Sequence, residues 1–182
     1  MGEPRITWAN ALTTLRLLIA LPCAWAIVAE IWFVAATLFL VAVASDIADG
    51  RVARHRQETS TFGALFDHAT DATFVTLLLI ALAQSGVITM LLPVLVAGSF
   101  LQYVLDSKAL RGKPLRTSSL GRFNGIAYFA IAGTPIIRDA LTLSFPPTQW
   151  ITWASWLLVA TTVVSMLDRA LALVRHQRGV AE

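Results

Sequence analysis

The chain has 182 residues, of which 57% are hydrophobic and only 14% charged, with a formal net charge of +3. A soluble domain carries about 25% charged and about 45–50% apolar residues, so this composition excludes an ordinary water-facing surface and points to a bilayer as the solvent. Almost every stretch is either apolar or a short polar connection, so residues 1–182 read as a single membrane-embedded, all-α domain.

In chain order, residues 1–10 read as an interfacial helix carrying Trp8. The first span, Leu12–Val28, has no convincing small-residue cleavage site after it and is expected to stay as a membrane helix. Arg16 lies one turn into it, where a charge is costly unless it faces a phosphate or an aspartate or snorkels to the interface. Cys23, the single cysteine, is expected to be a small packing residue. The second span, Ile31–Ala48, shows no polar alternation, which excludes a barrel strand. It closes on Asp46 and Asp49, and a short loop around His55–Thr61 turns the chain. The third span, Phe62–Ala83, reaches full length only if the helix includes Asp67 and Asp71. Val87–Leu105, Leu120–Ile137 and Trp150–Leu173 complete six spans, with Pro146-Pro147 punctuating the link before the last.

The connections alternate in charge. Arg5, Arg16, Arg51, Arg54, Arg56, Lys108, Arg111, Lys113, Arg116, Arg122, Arg169, Arg175 and Arg178 fall on one side, and only Arg138 falls on the other. The positive-inside rule makes the basic side cytoplasmic, with both termini there. The positive charge is thereby explained by orientation, and no nucleic-acid partner is expected. Trp8, Trp25, Trp32, Trp150, Trp153 and Trp156 lie near span ends, where interfacial anchoring accounts for them.

Four carboxylates sit inside apolar helices. Asp46 and Asp49 are three apart and Asp67 and Asp71 four apart, so each pair shares a helix face. At the centre of a membrane helix each would cost on the order of 3 kcal/mol even on the lenient insertion scale. Four like charges cannot stay ionised together without counter-charge. All-oxygen ligation suits magnesium or manganese, and four carboxylates suffice to bridge two such ions, a recurring device in phosphoryl-type displacement. Gly50, Ala53 and Gly63 leave room for a ligand or for close helix packing, and Arg54 offers a fork of donors suited to phosphate.

The run Asp46-Ile-Ala-Asp49-Gly50-Arg-Val-Ala53-Arg54, eight residues, Gly63, three residues, Asp67, three residues, Asp71 resembles the signature of the CDP-alcohol phosphatidyltransferases, with all eight fixed positions present. The resemblance implies six membrane helices, a homodimer, and transfer of a phosphatidyl group from CDP-diacylglycerol to an alcohol with release of CMP. It implies that Asp46, Asp49, Asp67 and Asp71 hold two divalent cations, Mg²⁺ or Mn²⁺. The nucleotide would lie along Asp49, Gly50, Ala53 and Gly63, with the pyrophosphate near Arg54 and Asp71 as general base.

For the acceptor, Asn10-Ala-Leu12-Thr13-Thr-Leu-Arg16 is similar to the opening of phosphatidylglycerophosphate synthases, which implies glycerol 3-phosphate and places Asn10, Thr13 and Arg16 near its phosphate. Arg111 and Arg122 are further candidates for a phosphorylated acceptor, and they also satisfy the orientation rule without any site. Inositol phosphate, serine and phosphatidylglycerol remain alternative acceptors. A cation transporter is the rival of a different class, but it calls for carboxylates or helix breaks near the midplane in both halves of the chain, and the second half has no matching cluster.

Overall fold

A computed structural model describes residues 8–56, 61–109 and 119–178, with side chains at 14–47, 66–105 and 120–172. Six helices fill these segments, and no strand occurs among the described residues. They are α1 (Trp8–Val28), α2 (Trp32–Arg56), α3 (Thr61–Gln84), α4 (Leu91–Ala109), α5 (Ser119–Ala140) and α6 (Thr148–Arg178). Of the interfacial helix expected over 1–10, residues 8–10 belong to α1 and residues 1–7 lie outside the described residues.

Two boundaries differ from expectation. Helix α2 does not end at Asp49 but runs on to Arg56, because nothing between Arg51 and Arg56 breaks a helix once the apolar stretch is over. Hydrophobicity marks where the solvent changes, not where hydrogen bonding stops. Helix α4 starts at Leu91 rather than Val87, with Pro93 in its first turn, where a missing N–H costs nothing, and Thr89 Oγ1 accepting from Leu91 N at 3.3 Å. As the length argument required, α3 includes both Asp67 and Asp71.

Three helices stop in the same way. At the end of α1 the Ile31 N–H bonds to Ala26 O and the Glu30 N–H to Ile27 O. At α3, Val87 bonds to Leu82 and Gly86 to Ala83, and at α5, Leu143 bonds to Arg138 and Thr142 to Asp139. Each is a Schellman cap, which needs a left-handed residue, supplied by Glu30 (φ 57°), Gly86 (φ 74°) and Thr142 (φ 52°). Only the glycine adopts this conformation without a steric penalty. Arg138 ties down the link that follows α5: it pairs with Asp139 at 2.6 Å and donates to Pro146 O and Thr148 Oγ1, each at 3.0 Å.

Helix α1 packs against α2 and α3, α5 against α2, α3 and α6, and α4 against α3 and α6. Small residues of both helices, Ala20, Cys23 and Ala26 of α1 and Ala35, Ala36 and Ala42 of α2, are all buried, and small side chains let two backbones approach. Cys23 is a packing residue whose Sγ lies 3.5 Å from Ala35 O. Phe74 of α3 stacks on Phe39 of α2 at 6.4 Å and on Phe129 of α5 at 6.2 Å, joining three helices. The outward faces are apolar: Leu18, Leu21, Trp25, Phe33, Val94, Ile126, Trp153 and Leu157 are all exposed. A water-facing monomer rarely shows such a surface. Phe66–Gln84 and Thr148–Ala172 are long and apolar enough to cross a membrane, and Thr14–Val28, Trp32–Ile47 and Leu91–Leu105 are shorter apolar stretches.

Two substitutions test this packing. A Cβ at Gly133 would lie 2.7 Å from two ring carbons of Phe39, so Gly133→Ala is expected to destabilise by about 1–3 kcal/mol, partly relieved by Phe39→Leu. Thermal unfolding in detergent measures both. Thr142→Gly removes a β-branched residue from the left-handed region and is expected to stabilise by about 1 kcal/mol in the same assay.

Candidate metal and phosphate site

The buried stripe of α1 runs Arg16, Ile19, Ala20, Cys23, Ala26, Ile27, at the three- and four-residue spacing of one helix face. Arg16 therefore points into the bundle along with its apolar neighbours. Its side chain is 1% exposed, so it does not snorkel outward. It faces the aspartates: Nη2 lies 2.8 Å from Asp46 Oδ1, Nη1 lies 3.3 Å from Asp67 Oδ1, and Nη1 also pairs with Asp71 Oδ1. One guanidinium thus joins α1 to α2 and to two successive turns of α3.

The carboxylates open away from the arginine. Asp46 and Asp67 are each 46% exposed and Asp71 24%, against 1% for Arg16. One oxygen from each of Asp46, Asp67 and Asp71 can be chosen so that all lie within 4.8 Å of one another. Two oxygens on opposite sides of a magnesium ion stand about 4 Å apart, so small rotamer adjustments bring the three into its reach. The donor set is hard, anionic and all-oxygen, and a cationic head group already lies among it; both observations fit a divalent cation.

Of the other sequence candidates, Asp49, Gly50, Ala53 and Arg54 follow Asp46 on α2, and Gly63 lies in the first turn of α3. Asn10 and Thr13 lie on α1 ahead of Arg16. The backbone of these seven is helical, and their side chains lie outside the described residues. Arg111 lies outside them altogether, and Arg122 is exposed near the start of α5.

His68, between Asp67 and Asp71 in sequence, faces elsewhere. Its ring meets Tyr103 at 4.8 Å and Phe100 at 5.7 Å on α4, and the guanidinium of Arg169 on α6 lies 5.9 Å from the Tyr103 centroid. Sequence reasoning missed this contact across helices. It also missed the buried polar seam of α4, α5 and α6. There Tyr128 OH meets Thr162 Oγ1 at 2.6 Å, Thr162 donates to Leu158 O, and Gln102 donates to Met166 O at 3.0 Å. Polar residues inside apolar spans were the available signal.

If the cluster holds a cation, Asp67→Ala is expected to weaken Mn²⁺ binding at least about tenfold, read from the paramagnetic resonance signal of free Mn²⁺. Tyr128→Phe, which removes a hydroxyl from the α5–α6 seam, is expected to leave that affinity unchanged.

The profile of the CDP-alcohol phosphatidyltransferase family matches residues 6–173. No curated protein matches the chain. Members of that family are membrane enzymes that depend on a metal and transfer a phosphatidyl group from a CDP-alcohol to an alcohol. The match begins ahead of α1, continues into α6, and takes in Arg16 and every carboxylate of the cluster. The chain belongs to the CDP-alcohol phosphatidyltransferase family.

Proposed function

We propose that the chain transfers the phosphatidyl group of CDP-diacylglycerol to glycerol 3-phosphate, releasing CMP, at a site on the cytoplasmic face of the cell membrane. The observation that carries the reading is the convergence of Asp46, Asp67 and Asp71, from two helices, on one oxygen-rich site in a chain matched by this family. Asp46, Asp49, Asp67 and Asp71 are the residues that would hold two divalent cations, Mg²⁺ or Mn²⁺. Bound there, such ions neutralise pyrophosphate oxygens and the charge that develops on the departing nucleotide.

The protein's own residues do the rest. Asp49, Gly50, Ala53 and Gly63 line the path of the nucleotide, and Arg54 offers its donors to the pyrophosphate. Asp71 takes the proton from the acceptor hydroxyl as that oxygen bonds to the phosphorus carrying diacylglycerol. The bond from this phosphorus to the oxygen bridging to the CMP phosphate breaks, and the electron pair leaves with CMP. Asn10 and Thr13, by likeness to the phosphatidylglycerophosphate synthases, and Arg111 and Arg122, as basic residues, are assigned to the phosphate of the acceptor; Arg16, which the same likeness puts there, instead meets Asp46, Asp67 and Asp71 in the metal-free site.

The same reading makes the chain one domain over 1–182 with six spans, both termini cytoplasmic, working as a homodimer. The apolar outward faces support the membrane placement, and the thirteen basic residues on one side support the orientation. A cytoplasmic site suits the chemistry, because CMP and a polar alcohol exchange with water while the acyl chains stay in lipid.

Purified protein in nanodiscs is expected to release CMP from CDP-diacylglycerol only with Mg²⁺ or Mn²⁺ and an acceptor, and fastest with glycerol 3-phosphate. No release with any of glycerol 3-phosphate, inositol phosphate, serine or phosphatidylglycerol would refute the enzyme reading; release with another acceptor would correct the substrate alone. Asp71→Asn is expected to lower turnover about 10²–10⁴-fold while metal-dependent nucleotide binding persists. Full activity in that variant would remove its role as base.

A further inference from the structure

The guanidinium of Arg16 occupies the position where a cation is wanted. It is buried on the floor of the cluster and pairs with the same three carboxylates whose oxygens come within 4.8 Å of one another. Arg16 belongs to the buried stripe of α1, a helix that packs against α2 and α3. We propose that Arg16 is the counter-ion of the metal-free site and competes with the divalent cation for the carboxylates of Asp46, Asp67 and Asp71.

The proposal rests on the reading of this cluster as a metal centre. Among the described side chains three carboxylates face one guanidinium, an excess of negative charge that attracts a divalent cation from the open side of the cluster. That cation then shares its ligands with a fixed positive charge a few ångströms behind them. Repulsion between the two cations, and the claim of both on the same oxygens, set metal affinity below what the carboxylates alone would provide. The coupling is reciprocal: metal binding loosens the hold of Arg16 on the carboxylates as far as Arg16 weakens metal binding. Arg16 is thus a positioning residue. It keeps α1, α2 and α3 assembled around the site before the metal arrives, and it limits how tightly the metal is held afterwards.

A purely structural arginine predicts the opposite sign on removal, since a disordered cluster binds metal worse. The test uses the full chain in phosphatidylcholine nanodiscs, whose neutral head groups compete little for metal, titrated with Mn²⁺ alone and read by paramagnetic resonance. Arg16→Gln is expected to bind Mn²⁺ about tenfold more tightly than the unmodified protein. The same variant is expected to unfold at a lower temperature without metal and to gain more from Mn²⁺. Arg16→Lys, which keeps the charge but cannot span three carboxylates, is expected to fall between the two. Affinity in Arg16→Gln that is equal or weaker, in folded protein, overturns the proposal. Failure of the unmodified protein to bind Mn²⁺ overturns the metal-centre reading, and the proposal with it. Should Arg16→Gln not fold, the infrared difference spectrum of the unmodified protein on adding Mn²⁺ decides. Guanidinium bands that shift, and that are missing from the Arg16→Lys difference spectrum, support the proposal; bands that do not move overturn it.

Discussion

Burying an arginine among apolar helices is tolerable only when carboxylates meet it, and burying carboxylates is tolerable only when a cation meets them. Arg16, fully buried, is met by Asp46, Asp67 and Asp71, which are only partly buried, and this need of the arginine ties α1 to α2 and α3. An ion pair of this kind is a weak source of net stability, because desolvation offsets most of the attraction. Its value lies in specificity: a one-residue slip of α1 against α3 would strand a charge in an apolar seam. The small residues Ala20, Cys23 and Ala26 bring the backbones close, and the ionic contacts then select one register.

The remaining helices serve this trio from behind. The stack of Phe39, Phe74 and Phe129 places α5 against α2 and α3. Gly133 leaves room for the Phe39 ring, so the stack lies close against the α5 backbone. Farther out, Tyr128 and Thr162 join α5 to α6, and Gln102 joins α4 to α6, by hydrogen bonds between helices. The apolar core is shared by all six helices, but the charged contacts described at the site belong to three.

The six helices and the acidic site were legible in the sequence because both rest on local pattern. Apolar runs of about 20 residues mark a span, and carboxylates three and four apart mark a helix face. The need to include Asp67 and Asp71 in α3 followed from length alone and is what the structure has. The end of α2 was not legible, since the run from Arg51 to Arg56 loses hydrophobicity without losing helix propensity. For Arg16, cost narrowed the partner to a phosphate, an aspartate or the interface, but only packing could choose the aspartates, 30 to 55 residues away in sequence. The same holds for His68 against Tyr103, for Arg169 over that ring, and for Arg138, which looked like the lone misplaced charge and is the clasp of the α5–α6 link.

The capped turns at Glu30, Gly86 and Thr142 lie at the opposite ends of their helices from the acidic cluster, and this separation has a mechanical meaning. Asp46 lies 14 residues from Trp32, the first residue of α2, which is about 21 Å of helix. With the far end as fulcrum, a tilt of about 3° swings that carboxylate by on the order of 1 Å, whereas metal–ligand distances tolerate only about 0.2 Å. The helix is a lever whose short tether, at Ala29, Glu30 and Ile31, sets how far the working end can stray. If the cluster holds a cation, a loosened tether would blunt its discrimination between ions of different radius without altering any residue of the cluster.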